Sequence, residues 1–100
     1  MPAYWIAHVT VTDPQRYQAY MAAAPEAFRQ YNARFLARGE QAESLEGAPF
    51  TKHVLIEFDD YQSALACYRS EAYQRAKQAR EGCAEVMITI VDGLNVAPAA

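Results

Sequence analysis

Residues Tyr4 to Val11 (YWIAHVTV) are β-branched, aromatic and apolar on both alternating faces, the pattern of a central strand covered on two sides. Asp13-Pro14 ends that strand and opens a helix, with Asp as N-cap and Pro at the first helical position. Tyr17, Tyr20, Met21, Ala24, Phe28 and Tyr31 then recur at helical spacing. Pro25 lies inside this stretch and predicts a kink or a restart of the helix there. Ala33 to Arg38 reads as a second strand, with Gly39 as a bulge or turn and room for Gln41 to Leu45 to extend it. Gly47-Ala48-Pro49 reads as a hairpin loop leading to a third strand, Thr51 to Phe58. Asp59-Asp60 caps a helix carrying Tyr61, Ala64, Leu65 and Tyr68. Ser70 caps another from Glu71 to about Glu81, which Gly82 ends. Ala84 to Val91 is a fourth strand, Asp92-Gly93 a turn, and Leu94 to Ala100 a tail.

Two copies of one pattern run through this order, 45 residues apart. His8-Val9 recurs as His53-Val54, Val11 matches Ile56, Ala19 matches Ala64, and Glu26-Ala27-Phe28 matches Glu71-Ala72-Tyr73. Tandem strand–helix–strand units of this length predict an α+β, ferredoxin-like β-α-β-β-α-β fold. Its antiparallel sheet has strand order 4-1-3-2. Residues 1–94 form the single domain and 95–100 the tail, with both helices expected to be broken in two.

Alternation sorts the strand side chains into two faces. One is apolar: Trp5, Ala7, Val9, Val11, Val54, Ile56, Phe58, Val86, Ile88 and Ile90. This is the face expected beneath the helices. The other mixes Ile6, Leu55, Met87 and Val91 with His8, His53, Glu57 and Glu85. It is too apolar for water and too polar for a monomer core, so a second sheet packed across a two-fold axis is predicted, making a homodimer.

Composition narrows the partners. Of the residues, 52% are apolar and 12% aromatic, rich for a chain that buries only about two-thirds of its unfolded surface. The excess again favours self-association. Net charge is −3, with nine basic and twelve acidic residues well mixed, so no basic stripe invites nucleic acid. No apolar run approaches the roughly 18 residues of a membrane span, and Met1-Pro2-Ala3-Tyr4 lacks the start of a signal peptide. Cys67 and Cys83 lack CxxC spacing and read as reduced core thiols, which implies the cytoplasm.

The stretch from Ala3 to Pro14 (AYWIAHVTVTDP), the run Phe35 to Gly39 (FLARG), Val54 to Phe58 (VLIEF), and Tyr68 to Tyr73 (YRSEAY) with Arg80 together resemble the domain-of-unknown-function 1330 family of small bacterial proteins. The resemblance covers about residues 3 to 94. It implies the dimeric α/β-barrel superfamily, in which two ferredoxin-like sheets face each other. Relatives there include cofactor-independent monooxygenases, haem-degrading enzymes, muconolactone isomerase and chlorite dismutase. The resemblance implies fold and dimer but no reaction. Arg69 stands where it would lead one to expect His.

Four constellations carry candidate chemistry. His8 and Glu57 share a face on strands that are antiparallel neighbours in this fold, and a carboxylate beside an imidazole suits general-base work. The plainer alternative is a polar pair that fixes dimer register. His53 could add a metal ligand, but no HxH or HxxxH spacing exists, and no metal is expected. Tyr68, Ser70, Tyr73 and Arg80 form a second cluster. Ser70 reads as an N-cap. Tyr73 and Arg80, two helical turns apart, could offer a phenol and a guanidinium to an anionic or carbonyl ligand, against the alternative that Tyr73 packs and Arg80 meets an acidic neighbour. Tyr17 belongs to an aromatic row that is mostly core; by the resemblance, part of it could line a pocket for a small aromatic molecule. With no phosphate-cradling or dinucleotide fingerprint, no cofactor is expected. The functional expectation is a cofactor-independent enzyme for a small apolar or aromatic molecule, with two alternatives. One is a non-catalytic ligand-binding or stress-response dimer, the other a purely structural one. His8 and Glu57 are the candidate catalytic residues; Tyr17, Tyr68, Tyr73 and Arg80 are the candidate ligand contacts.

Overall fold

In the computed structural model, which describes residues 1–94, the elements are β1 (Ala3–Val11), α1 (Pro14–Gln30), β2 (Arg34–Ala37), β3 (Lys52–Phe58), α2 (Tyr61–Arg69), α3 (Glu71–Ala79) and β4 (Ala84–Asp92). The tail expected over 95–100 lies outside the described residues. The strands form one antiparallel sheet in the order β2-β3-β1-β4, which is the expected order read from the other edge. The fold is the ferredoxin-like α+β arrangement.

Local chemistry sets the element ends. Asp13 Oδ1 accepts the Arg16 amide at 3.2 Å, and Asp60 Oδ1 accepts the Ser63 amide at 2.7 Å, each satisfying a first-turn donor. Ser70 accepts the Tyr73 amide at 3.1 Å while its hydroxyl donates to the Cys67 carbonyl at 2.7 Å, so one side chain closes α2 and starts α3. Gly82, at φ +77°, supplies the left-handed residue that turns the chain from α3 into β4.

Two expectations need correction. The first helix is not broken: α1 runs through Pro25 without interruption. Pro25 and Met21 are both exposed, and water can take the place of the amide partner that the Met21 carbonyl loses at a solvent-accessible turn. Only the second helix is divided, at Ser70. The second strand is also shorter than expected. It ends at Ala37 after a register shift between Phe35 and Ala37, and Gln41 to Leu45 do not extend it. Asp92 carries β4 one residue beyond its expected end.

The core forms where expected, under the helices. Trp5 is its centre, edge-on to Phe28 at 5.1 Å and to Tyr73 at 5.0 Å, stacked on Phe58 at 5.9 Å and tilted against Tyr68 at 5.7 Å. Ala3, Ala7, Ile56, Ala64, Cys67 and Ala76 close around it. The cover is uneven. Trp5, Ala7, Val9, Ile56 and Phe58 are buried, but Val54, Val86, Ile88 and Ile90 on the same face are only partly so. The opposite face, carrying Ile6, Leu55, Met87 and Val91, is not covered by any element among the described residues, and Met87 is 53% exposed. Among the described residues no helix is long and apolar enough to cross a membrane.

Pro25→Ala restores one helical hydrogen bond and removes a poor helix former. It should raise stability by about 1–3 kcal/mol, less what is lost because the unfolded chain becomes freer. Urea unfolding followed by circular dichroism checks this. A fall in stability would mean that the Pro25 ring packs in a way alanine cannot replace.

Candidate functional site

Between α1 and the sheet lies a cavity of about 480 Å³. Trp5, Tyr17, Tyr20, Phe28 and Ile56 give it an aromatic and aliphatic wall, and Arg80 reaches it from the end of α3. The uneven cover explains why space remains. Small residues, Ala7 on β1 and Ala24 on α1, face it and leave volume that larger side chains would fill.

Arg80 is the most unusual group of the site, being only 8% exposed. Its guanidinium sits 5.2 Å over the Tyr20 ring, and Nη2 donates to the Tyr73 hydroxyl at 3.3 Å. The Tyr73 and Tyr20 hydroxyls are themselves 2.9 Å apart. The i, i+7 spacing thus brings Tyr73 and Arg80 together, and Tyr20 joins them from α1. Sequence reasoning placed Tyr20 only in the aromatic core row, because nothing in a single chain marks which tyrosine of one helix meets which of another. Among the described residues Arg80 forms no ion pair, so the expected alternative of an acidic neighbour is not what the fold provides.

Burial sets the protonation of these groups. It pushes the Tyr17 hydroxyl above its ordinary value, with Arg80 opposing. It drives Tyr20 far higher, helped by the adjacent Tyr73 hydroxyl. For Arg80 burial works against the charge, but its contacts with Tyr73 and Tyr20 more than offset this and its value rises. At neutral pH the Tyr17 and Tyr20 hydroxyls are therefore hydrogen-bond donors rather than bases, beside a permanent cation. Cys67, fully buried with its thiol directed at the Ala27 carbonyl 3.7 Å away, is pushed up to about 12 by burial. It is a core thiol without nucleophilic character.

The other predicted pair does not assemble. In the β1–β3 register His8 lies opposite His53, and Glu57 lies opposite Tyr4. His8 Nδ1 and His53 Nδ1 are 2.8 Å apart, so one nitrogen donates and the other accepts. Glu57 instead accepts from Arg34 Nε at 2.9 Å and from the Tyr4 hydroxyl at 3.4 Å. Arg34 also binds Asp59 at 2.9 Å, and Asn32, in a left-handed conformation at φ +55°, reaches Asp59 as well. Glu57 thus belongs to an ion-pair network joining β2 to the end of β3. Alternation identified the shared face correctly, but the partner depends on register, which the long connection between β2 and β3 hides from the sequence. Of the histidine pair only His53 is at the cavity's rim. Among the described residues no group of three or more His, Cys, Asp or Glu is placed to hold a metal ion.

A second hollow, about 470 Å³, lies between the α2–α3 layer and β4. Tyr68 lines it, and Arg80, Val86 and Ile88 line both hollows. Of the expected ligand contacts, Tyr17 and Arg80 therefore stand at the first cavity and Tyr68 and Arg80 at the second, while Tyr73 is fully buried between the aromatic core and Arg80.

The sequence pattern of the family described as Domain of unknown function (DUF1330) matches residues 2–94, and the chain belongs to this family. No match was found among curated proteins. The fold is similar to that of a protein of unknown function from Rhodopseudomonas palustris, with TM-score 0.77, 14% identity, and coverage of 95% of this chain and 84% of that one. It is similar also to a dimeric ferredoxin-like protein of unknown function from Jannaschia sp. CCS1, with TM-score 0.70, 12% identity and coverage of 93% and 100%. A third similar structure is SnoaB, a cofactor-independent oxygenase from Streptomyces nogalater, with TM-score 0.63, 12% identity and coverage of 98% of both chains. At these identities the likeness shows the fold.

Cys67 in the core and Tyr20 at the cavity give the fold a distinct alkaline signature. A thiol held up to about 12 when folded favours the folded state fully at pH below its ordinary value of 9.0. That contribution is lost as pH climbs from 9 toward 12, with Tyr20 adding a further loss above its ordinary value of 10.0. In reducing buffer the urea midpoint should hold steady below about pH 8.5 and fall steadily above 9. Cys67→Ala should delay the fall, and Tyr20→Phe should flatten its upper part. A parent-like profile in both variants would show that neither group is desolvated as described.

Proposed function

We propose that the protein is a homodimer that binds a small apolar or aromatic molecule in the cavity between α1 and the sheet. The cavity carries this reading: about 480 Å³ falls within the range of small-molecule sites, with a mostly apolar wall and a few polar groups converging on it. Tyr17, Tyr20 and Arg80 are the polar contacts of the bound molecule, and Tyr73 holds Arg80 in place. Dimerisation is supported by the uncovered sheet face with Ile6, Leu55, Met87 and Val91 and by the dimeric ferredoxin-like structure that shares the fold. In this arrangement the His8–His53 pair sits on the face between the two sheets and acts in register rather than in catalysis.

A second reading adds chemistry without a cofactor. The likeness to SnoaB supports it as an analogy of fold. The state of the cavity's phenols shapes it: Tyr17 and Tyr20 stay protonated and do not abstract protons near neutral pH, so turnover would draw on the reactivity of the bound molecule itself.

Two measurements test the binding reading. Sedimentation at micromolar concentration should show a dimer, and Ile6→Glu, which puts a charge into the sheet-to-sheet contact, should give monomer or aggregate. Titration calorimetry with 1-naphthalenemethanol should show saturable binding, and Ala24→Leu, which fills the cavity, should weaken it by about tenfold or more. Absence of binding at millimolar concentration, or an unchanged affinity in Ala24→Leu, would remove this reading. Oxygen uptake on adding a bound aromatic molecule would favour the catalytic version.

A further inference from the structure

Three cationic side chains, Arg69, Lys77 and Arg80, line the hollow between the α2–α3 layer and β4, and no acidic residue lines it. In a chain of net charge −3 this is a local reversal of sign. The floor is apolar: Leu65 from α2 with Val86, Ile88 and Ile90 from β4. Arg80 is more than nine-tenths buried, and among the described residues it forms no ion pair. A permanent cation taken out of water ordinarily lies beside an opposite charge, because desolvation otherwise costs several kcal/mol. The Tyr73 hydroxyl and the Tyr20 ring compensate only in part: Nη2–Oη is a single neutral contact at 3.3 Å, and since no fully buried side-chain nitrogen among the described residues lacks a partner, the remaining guanidinium donors are those open to the hollows that Arg80 lines.

From this we infer that the two hollows are one site for an organic carboxylate, with the carboxylate held by Arg80 and the apolar body lying under α1. Arg80, Val86 and Ile88 line both hollows, so the guanidinium stands where they meet. Its planar fork matches the two oxygens of a carboxylate, which a lysine would meet only as a point charge. Lys77, half-buried one turn before Arg80, and Arg69, exposed at the end of α2, add a positive field on the approach. Arg69 gains a role here that an imidazole at that position would fill only when protonated. The inference rests on the cavity-binding reading above and names the class of molecule that the cavity takes.

The test compares 1-naphthoate with 1-naphthamide, a neutral molecule of nearly the same shape, by titration calorimetry on the full chain at low salt. The carboxylate should bind at least about tenfold more tightly, as expected for exchanging a neutral contact for a charge-assisted pair. Its advantage should shrink as sodium chloride is raised. Arg80→Gln should abolish the advantage, bringing the carboxylate's affinity down to that of the amide in the same variant. Should Arg80→Gln fail to fold, the double variant Arg69→Gln, Lys77→Gln, at exposed and half-buried positions, should still cut the advantage by about threefold. Equal affinities for acid and amide in the parent would overturn the inference and leave the cavity-binding reading intact, as would an advantage kept in both variants. Binding of neither, nor of 1-naphthalenemethanol, would overturn both.

Discussion

The packing around Trp5 sets the geometry of everything above the sheet. Phe28 reaches it from α1, Phe58 from β3, Tyr68 from α2 and Tyr73 from α3, so one indole fixes the height and tilt of three helices over the strands. The edge-on contact at 5.0 Å also fixes the Tyr73 ring, and with it the hydroxyl that meets Tyr20 and Arg80. A buried guanidinium in this fold is thus a consequence of aromatic packing beside it. The volume between α1 and the sheet is the complementary consequence. Helices held at the height of an indole leave space wherever the facing residue is as small as Ala7 or Ala24.

Much of this was legible in the sequence because it rests on short-range rules. Period-two alternation separated the face of Trp5 and Ile56 from that of Ile6 and Leu55, and the side chains of Asp13, Asp60 and Ser70 marked helix starts that the hydrogen bonds bear out. The 45-residue offset aligned the two halves and led to the strand order. Contributions that depend on the solvent or on distant register were not legible. Pro25 forbids an internal hydrogen bond but does not break an exposed helix turn that water can satisfy. The partner of His8 depends on how β3 slides past β1, and a shift of four residues exchanges Glu57 for His53. The meeting of Tyr20 with Tyr73 depends on how two helices cross, which no spacing within either helix encodes. The sequence does carry a signal for Lys77: Tyr73, Lys77 and Arg80 follow i, i+4, i+7 on one side of a short helix.

The two polar clusters differ in kind. On the open face of the sheet, Arg34, Glu57, Asp59 and Asn32 satisfy one another, and His8 and His53 share a hydrogen bond, so these groups are complete within the chain. Under the helices the balance is reversed. Burial keeps the Tyr17 and Tyr20 hydroxyls protonated, while Arg80 stays charged and meets no carboxylate among the described residues. That contrast is why we propose the cavity, and not the open face of the sheet, as the place where a ligand binds.

What faces Arg80 decides whether the hollows bind a carboxylate. A crystal structure of the protein grown with 1-naphthoate addresses this directly. The expected result is carboxylate oxygens within hydrogen-bond distance of the Arg80 guanidinium and the ring system against Tyr17 and Phe28. Density showing Arg80 paired with a carboxylate of the protein itself, from the same chain or a second copy, would contradict it.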